Sequence, residues 1–354
     1  MARMVRSVQA VPLVRADLTR ADDLAVRRQV RHAPFRDDAL LARWEAAWEA
    51  IWHRSAVAFA DPVEGVLTLK TVLGWPDGEK IGVDPLLDPV WTEALTAAWL
   101  HPAWRDVDPV TGQGRGDFMT DAAPGGALRA GFCQHACGVP VRQTAGEVPF
   151  WLEDLSSLPL PVPGCGWGDV QVLSLSGNRL VAAGGSGLLL TRDDHLAGEL
   201  RRRRPYPPGP LACALGLSQL ESLPGRLARR QALAERYRLL RGREWFQLPE
   251  EGGEGRVWEM FLLAMASAEG SSDLQQFLRK AGIHAASPLW FQPAPARSLS
   301  PLPGLQRFRE HMLAVPLYAA LSDSDHKRII NRINRWVGYR AKGMPSSVLE
   351  PLVG

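Results

Sequence analysis

Between Asp37 and Trp52 the apolar residues Leu40, Leu41, Trp44, Trp48 and Ile51 recur at helical spacing, which predicts an amphipathic helix capped by Asp37 or Asp38. Ser55–Ala60 reads as a short strand, Leu86–Trp99 as a helix and Trp104–Asp108 as a strand. Val148–Leu155 is mostly apolar and closes on two acids and a leucine, the pattern of a parallel strand buried on both faces. From Asp169 the chain alternates like a strand and breaks at Ser176-Gly177-Asn178. It then turns through a glycine-rich loop into a second apolar strand ending at Thr191. Ser218–Arg241 predicts a long helix with Leu220, Leu223, Leu227, Leu233, Tyr237 and Leu240 on its buried face and Pro224 near a bend or its first turn. Beyond the glycine-rich turn Pro249–Gly255 come a strand (Val257–Ala266), a helix (Ser272–Gly282), a proline-rich stretch to Pro303 and a terminal helix (Ser322–Val337).

Alternating strands and helices predict an α/β fold with a mostly parallel sheet. Residues 1–248 are expected to form a large domain and 249–354 a smaller C-terminal α+β domain.

Composition narrows the function classes. The 354 residues are 46% hydrophobic and 22% charged, ordinary for a globular chain, and a net charge of +3 is too weak to imply a nucleic-acid partner. No apolar run approaches the ~20 residues of a membrane helix, and the N-terminus has no continuous apolar segment of the signal-peptide kind. Four cysteines in a chain this long do not form a disulfide framework. These features read as a cytoplasmic protein without membrane partners. The cluster Glu199–Pro210 reads as a solvated connector.

The stretch Gly168–Thr191, "GDVQVLSLSGNRLVAAGGSGLLLT", resembles the signature of the DegT/StrS nucleotide-sugar aminotransferases, fold-type I enzymes that use pyridoxal phosphate. Other segments follow in the same order: "VPLVRADL", "RDVDPVTGQ" (Arg105–Gln113), "FWLEDLSS", "LGLSQLESLPGRLARRQALAERY", "KAGIHAASPLW" and "LAVPLYAALSDSD". The likeness runs from about Val11 to Val337. It implies an aspartate-aminotransferase-like large domain, a small C-terminal domain and a homodimer with sites at its interface.

Set on that pattern, the site residues are partly preserved. The resemblance places Asp154 at the carboxylate that faces the cofactor ring nitrogen and Ser174 at the serine ahead of the Schiff-base lysine. Arg179 stands at the lysine itself. A guanidinium stays protonated and cannot act as a free amine nucleophile. The lysines are Lys70, Lys80, Lys280, Lys327 and Lys342, none in a segment that matches the site. Asp61, Pro62 and Val63 occupy the phosphate-cup positions. Pro62 has no N–H to offer, and Asp61 and Glu64 bring negative charge toward a phosphate seat. The helix expected between Gly138 and Trp151, and the loop between Arg204 and Leu211 that relatives extend into a neighbouring subunit, are both shortened.

The resemblance therefore implies a divergent protein that is not a competent transaminase and holds no cofactor, open to a nucleotide sugar or another small anionic ligand. The alternative is a pyridoxal phosphate enzyme of sugar modification, aminotransferase or dehydratase, whose cofactor is held without a covalent bond. Arg179 itself has two readings: it seals a disused cavity, paired with Asp154 or Glu153, or it binds an anionic ligand. A third constellation is separate. Cys133, His135 and Cys137 alternate and on a strand would share a face, but a fourth ligand is not evident, so they read as structural and no metal is expected. The thirteen tryptophans read as core and interface packing, with a stacking surface as the alternative.

Overall fold

The computed structural model describes residues 10–32, 36–119, 128–141, 148–249, 255–288 and 302–343. Helices α1 (Arg20–His32) and α2 (Asp38–Trp52) lead into β1 (Ser55–Phe59) and α3 (Pro62–Val72). There follow β2 (Lys80–Val83), α4 (Pro89–Ala97), β3 (His101–Val107), β4 (Gly114–Met119), β5 (Ala130–Gln134), β6 (Trp151–Asp154), β7 (Val170–Leu175) and β8 (Ser186–Thr191). Next come α5 (Asp194–Arg203), α6 (Pro210–Arg236), β9 (Phe246–Gln247), β10 (Phe261–Met265), α7 (Ala268–Lys280), α8 (Pro303–His311), β11 (Met312–Val315) and α9 (Asp323–Arg340).

An eight-stranded sheet runs in the order β1-β8-β7-β6-β5-β2-β3-β4. β7, β6, β5, β2 and β3 pair in parallel, while β8 is antiparallel to both its neighbours and β4 closes the far edge antiparallel to β3. Alternate residues face opposite sides, as strand geometry requires. On one face Val57, Phe59, Leu152, Val172 and Leu189 pack with Val66 and Leu69 of α3, Trp91 and Leu95 of α4 and Leu200 of α5. On the other, Ala56, Ala58, Leu173, Leu188 and Leu190 pack with Trp44 and Trp48 of α2 and Leu223 of α6. All residues of β6, β7 and β8 are buried, the polar ones among them included, because the sheet is covered on both faces.

A second, three-stranded antiparallel sheet has the order β11-β10-β9. Phe261, Leu263 and Met265 face a core with α7, α9 and the C-terminal part of α6. Met260 and Leu262 face Leu86, Val107 and Phe308. β9 lies ahead of residue 249, and Val11 from the N-terminus packs into the small-sheet core.

Several elements differ in extent from expectation. α2 is capped by Asp37, which accepts from Leu40 N at 2.9 Å. α4 begins only at Pro89, because Asp88 caps it and proline suits the first helical position. α6 starts at Pro210, eight residues before the reading from its leucines, and Pro224 lies inside it and not in its first turn. Near that proline the Gln219 carbonyl accepts from Arg226 Nη2 at 2.7 Å and Ser222 Oγ at 3.2 Å. Trp44, Trp48, Trp91 and Trp336 are fully buried, as core packing requires. The stretch before Pro303, the turn after Pro249 and most of the shortened segment after Gly138 lie outside the described residues. No helix among the described residues is long and apolar enough to cross a membrane.

Candidate functional site

The carboxyl ends of parallel strands are where α/β folds place ligand-contacting groups. Asp154 ends β6 there, 2% exposed. Its Oδ1 accepts from the Ser156 backbone N at 2.9 Å and from the Ser156 hydroxyl. That hydroxyl in turn accepts from Ser174 N on β7 at 2.8 Å. Burial pushes the Asp154 carboxyl up to about 6; the Ser156 hydrogen bonds oppose this, and the Glu259 charge adds to it.

Arg179 sits in the turn after β7, its N–H bonded to Ser176 O at 3.1 Å. Its side chain extends to two acids that the sequence reading did not name. Nη1 donates to Glu259 Oε1 at 3.0 Å, and Nη2 donates to Asp88 Oδ2. Glu259 is further held by Ser157 Oγ, which donates to Oε2 at 2.6 Å. Arg179 and Glu259 are both buried. Glu153 is committed elsewhere: it accepts from Gly166 N at 2.6 Å and Gly168 N at 2.8 Å, and meets His135 Nε2 at 2.9 Å. Burial raises its carboxyl, but His135 and these backbone donors bring it below its ordinary value.

A cleft of about 310 Å³ opens beside this pair, lined by Asp61, Pro62, Asp88, Ser174, Ser176 and Asn178 among others. Of the residues expected at a cofactor seat, it gathers Asp61, Pro62 and Ser174. Asp154 lies behind, linked through Ser156. Val63 turns its N–H to Asp61 Oδ1 at 2.6 Å. The amino end of α3 is thus closed by the protein's own carboxylate and by a proline, and burial together with the Asp61 charge raises the Glu64 carboxyl. Anion-binding helix ends work through free N–H groups; here one is used and one is missing.

The cysteine cluster does not assemble. β5 ends at Gln134, and Cys137 adopts a left-handed conformation (φ 56°) past the strand. His135 Nδ1 accepts from Val141 N at 2.9 Å, so the proton lies on Nε2, which donates to Glu153. Burial raises the Cys133 thiol well above its ordinary value and the Cys137 thiol to about 12. Among the described residues no group of three or more histidines, cysteines and acids is placed to hold a metal.

Asp88 and Glu259 are the site residues that sequence reasoning missed. An acid inside the apolar run Val257–Ala266, and an aspartate before a proline at a helix start, were the available signals.

A sequence model of the DegT/DnrJ/EryC1/StrS aminotransferase family matches residues 210–334. A comparison with curated proteins finds no match. Among solved structures, the aminotransferase TlmJ from Streptoalloteichus hindustanus is 23% identical with a TM-score of 0.79, covering 94% of this chain and all of that one. PseC from Helicobacter pylori, an aminotransferase involved in the biosynthesis of pseudoaminic acid, is 15% identical with a TM-score of 0.81, covering 93% of this chain and 100% of that one. The Bacillus subtilis protein NtdA, solved with bound cofactor PMP, is 17% identical with a TM-score of 0.80, covering 94% of this chain and 86% of that one. The α/β aminotransferase fold with a large, mostly parallel sheet is therefore shared, at identities that carry the fold alone.

Proposed function

Starting from a chain that resembles the DegT/DnrJ/EryC1/StrS aminotransferases over residues 210–334 and shares the aminotransferase fold, we propose that its cleft no longer supports Schiff-base chemistry and serves to bind a sugar. The observation that supports this reading is the Arg179 guanidinium held between Asp88 and Glu259, at the position that the resemblance gives to the lysine. The residues present do not fit a covalently bound pyridoxal phosphate. There is no amine at position 179, and Asp61 and Pro62 line the cleft where the phosphate is expected, with Glu64 in the same helical turn. Two carboxylates already balance Arg179, so an anionic group gains little there. The lining of Asp61, Asp88, Ser174, Ser176 and Asn178 suits a ligand rich in hydroxyls. Several matched structures are sugar aminotransferases, which agrees with a sugar as the ligand class.

A second reading keeps the cofactor without a covalent bond. Asp154 retains the strand-end position, and NtdA is solved with PMP, a form that has no bond to lysine. The proposal includes a cytoplasmic homodimer. Tyr206 (67% exposed) and Leu211 (47% exposed) flank the shortened connector and are available to a second copy.

The test is absorbance. Protein mixed with excess pyridoxal phosphate and desalted stays colourless under the first reading; a retained near-visible band supports the second. Arg179→Lys in the same assay shows whether the rest of the cleft accepts the cofactor. A panel of free and nucleotide-linked sugars in a thermal-shift assay then tests the ligand class; no shift with any of them overturns sugar binding.

A further inference from the structure

The opposite edge of the large sheet holds a pocket that the aminotransferase reading does not use. Ser55 of β1 pairs with Thr191 of β8, and Thr191 with Val170 of β7, so these residues line up along the amino ends of the parallel strands. Asp154 and the cleft lie at the carboxyl ends. At the amino edge a cavity of about 490 Å³ is bounded by Arg54, Arg192, His195, Phe150 and Trp167. A second cavity of about 350 Å³ adjoins it and shares Arg54, Thr191 and Arg192. The first is within the usual ligand-pocket range of roughly 300–1,000 Å³.

Arg54 is the telling residue. His53, in a left-handed conformation at φ 52°, ends α2 and turns the chain so that Arg54 stands just before β1. Arg54 is 6% exposed. Nη2 donates to the Gly166 carbonyl, while the buried Nη1 has no hydrogen-bond partner. The Glu153 charge opposes the lowering of the Arg54 pKa by burial but makes no ion pair with it, so this buried cation keeps an idle donor that a ligand could complete. Exposed Arg192 lines the same cavities, close enough that its charge, after burial, lowers the Arg54 pKa. Among the described residues Arg192 also has no ion pair. The acids around the rim are engaged elsewhere: Asp169 accepts from Trp151 N, Asp193 caps Leu196 N, Asp194 accepts from Ser55 Oγ, and Glu199 pairs with Arg202 and Arg203. Half-buried Phe150 and Trp167 supply flat apolar walls, and Trp167 is held in place by donating to Val141 O at 2.9 Å.

We propose that this amino-edge pocket binds a phosphate monoester carrying a planar ring, with the phosphate on Arg54 and Arg192 and the ring against Phe150 and Trp167. Two guanidiniums suit phosphate through paired N–H donors, and an aromatic wall is tolerant of any ring that presents a π-face.

The probes are adenosine monophosphate, adenosine and inorganic phosphate, titrated calorimetrically and by tryptophan fluorescence against the full chain. Saturable binding of the monophosphate is expected, at least about tenfold tighter than either fragment. Arg192→Gln should weaken it about tenfold at unchanged melting temperature. Arg54→Lys, which keeps the charge if Arg54→Gln does not fold, should weaken it by a similar factor. Absence of saturable binding, equal affinity for monophosphate and phosphate, or full affinity in Arg192→Gln overturns the proposal. Because the pocket lies away from the cleft, Arg179→Lys should leave this affinity unchanged, so failure here and failure of the sugar-binding reading are distinguishable.

Discussion

Arg179, in the turn after β7, donates to Glu259, on the approach to β10, at 3.0 Å, and so this ion pair ties the large sheet to the small one. With both partners buried, loss of Arg179 leaves the Glu259 and Asp88 carboxylates without the cation between them, while loss of Glu259 leaves Arg179 still paired with Asp88. Arg179→Ala should therefore destabilise the protein by about 3–5 kcal/mol in chemical denaturation. Glu259→Gln should cost less, since an amide still accepts from Arg179 and Ser157. The double variant Arg179→Ala/Glu259→Ala should lie well short of the sum of the single losses. Additive losses would show that the pair is not coupled.

Asp154 makes the opposite case, a buried carboxyl whose hydrogen bonds do not need its charge. Its pKa is raised to about 6, against about 3.9 in an unfolded chain. The folded state therefore holds the proton that the unfolded state has released, and stability falls as pH rises through that window. Asp154→Asn keeps an acceptor for both Ser156 bonds and removes the charge. It should be more stable than the parent by about 1–3 kcal/mol at pH 7.5, with the gain vanishing near pH 4. A gain that persists unchanged at pH 4 would place its origin elsewhere.

His326, on α9, tilts stability the other way. Burial first, then the charges of Arg236 and Arg229, lowers its pKa to about 4. The unfolded chain takes up the proton sooner, so stability is lost as pH falls from about 6.5 toward 4, by up to about 3 kcal/mol. Between about 4 and 6 the Asp154 slope opposes this loss. In the Asp154→Asn background the acid-side fall should therefore be steeper, and His326→Gln should flatten it.

Gly138 has φ +75°, and a methyl group added there would run into the Val257 carbonyl oxygen. Its own carbonyl accepts from Val257 N at 2.8 Å, so the backbone cannot retreat without losing that bond. Gly138→Ala should destabilise by about 2–4 kcal/mol, readable as a lowered melting temperature. A loss below about 0.5 kcal/mol would mean that the turn adjusts freely.

The parts of this fold that sequence revealed are those with local periodicity. The apolar approach to β6, the alternation of β7, the apolar stretch of β8, the leucine spacing of α6 and the Trp44–Trp48 spacing of α2 each follow from burial along one short segment. The leucine spacing of α6 says nothing of Arg226 and Arg230, which are both buried. Arg230 Nη2 meets Asp17 at 2.7 Å, and its Nη1 donates to the carbonyls of Glu259 and Leu317. Those partners are distant in sequence, and no spacing rule finds them. The same holds for the site. The resemblance singled out Asp154, Ser174 and Arg179 as expected site residues, whereas Asp88 and Glu259 come to Arg179 only through the way distant segments meet. That meeting also brings Glu259 to Arg179.

α6 runs under both cores: Cys213 and Leu223 in its first part pack beneath the eight-stranded sheet, and Leu233 and Ala234 near its end pack with the three-stranded one. A 27-residue helix anchored at both ends cannot melt at one end without weakening its hold at the other. The two lobes should therefore denature as one cooperative unit, tracing a single endotherm on heating. A protease should find no nick in the span between them that releases a folded half.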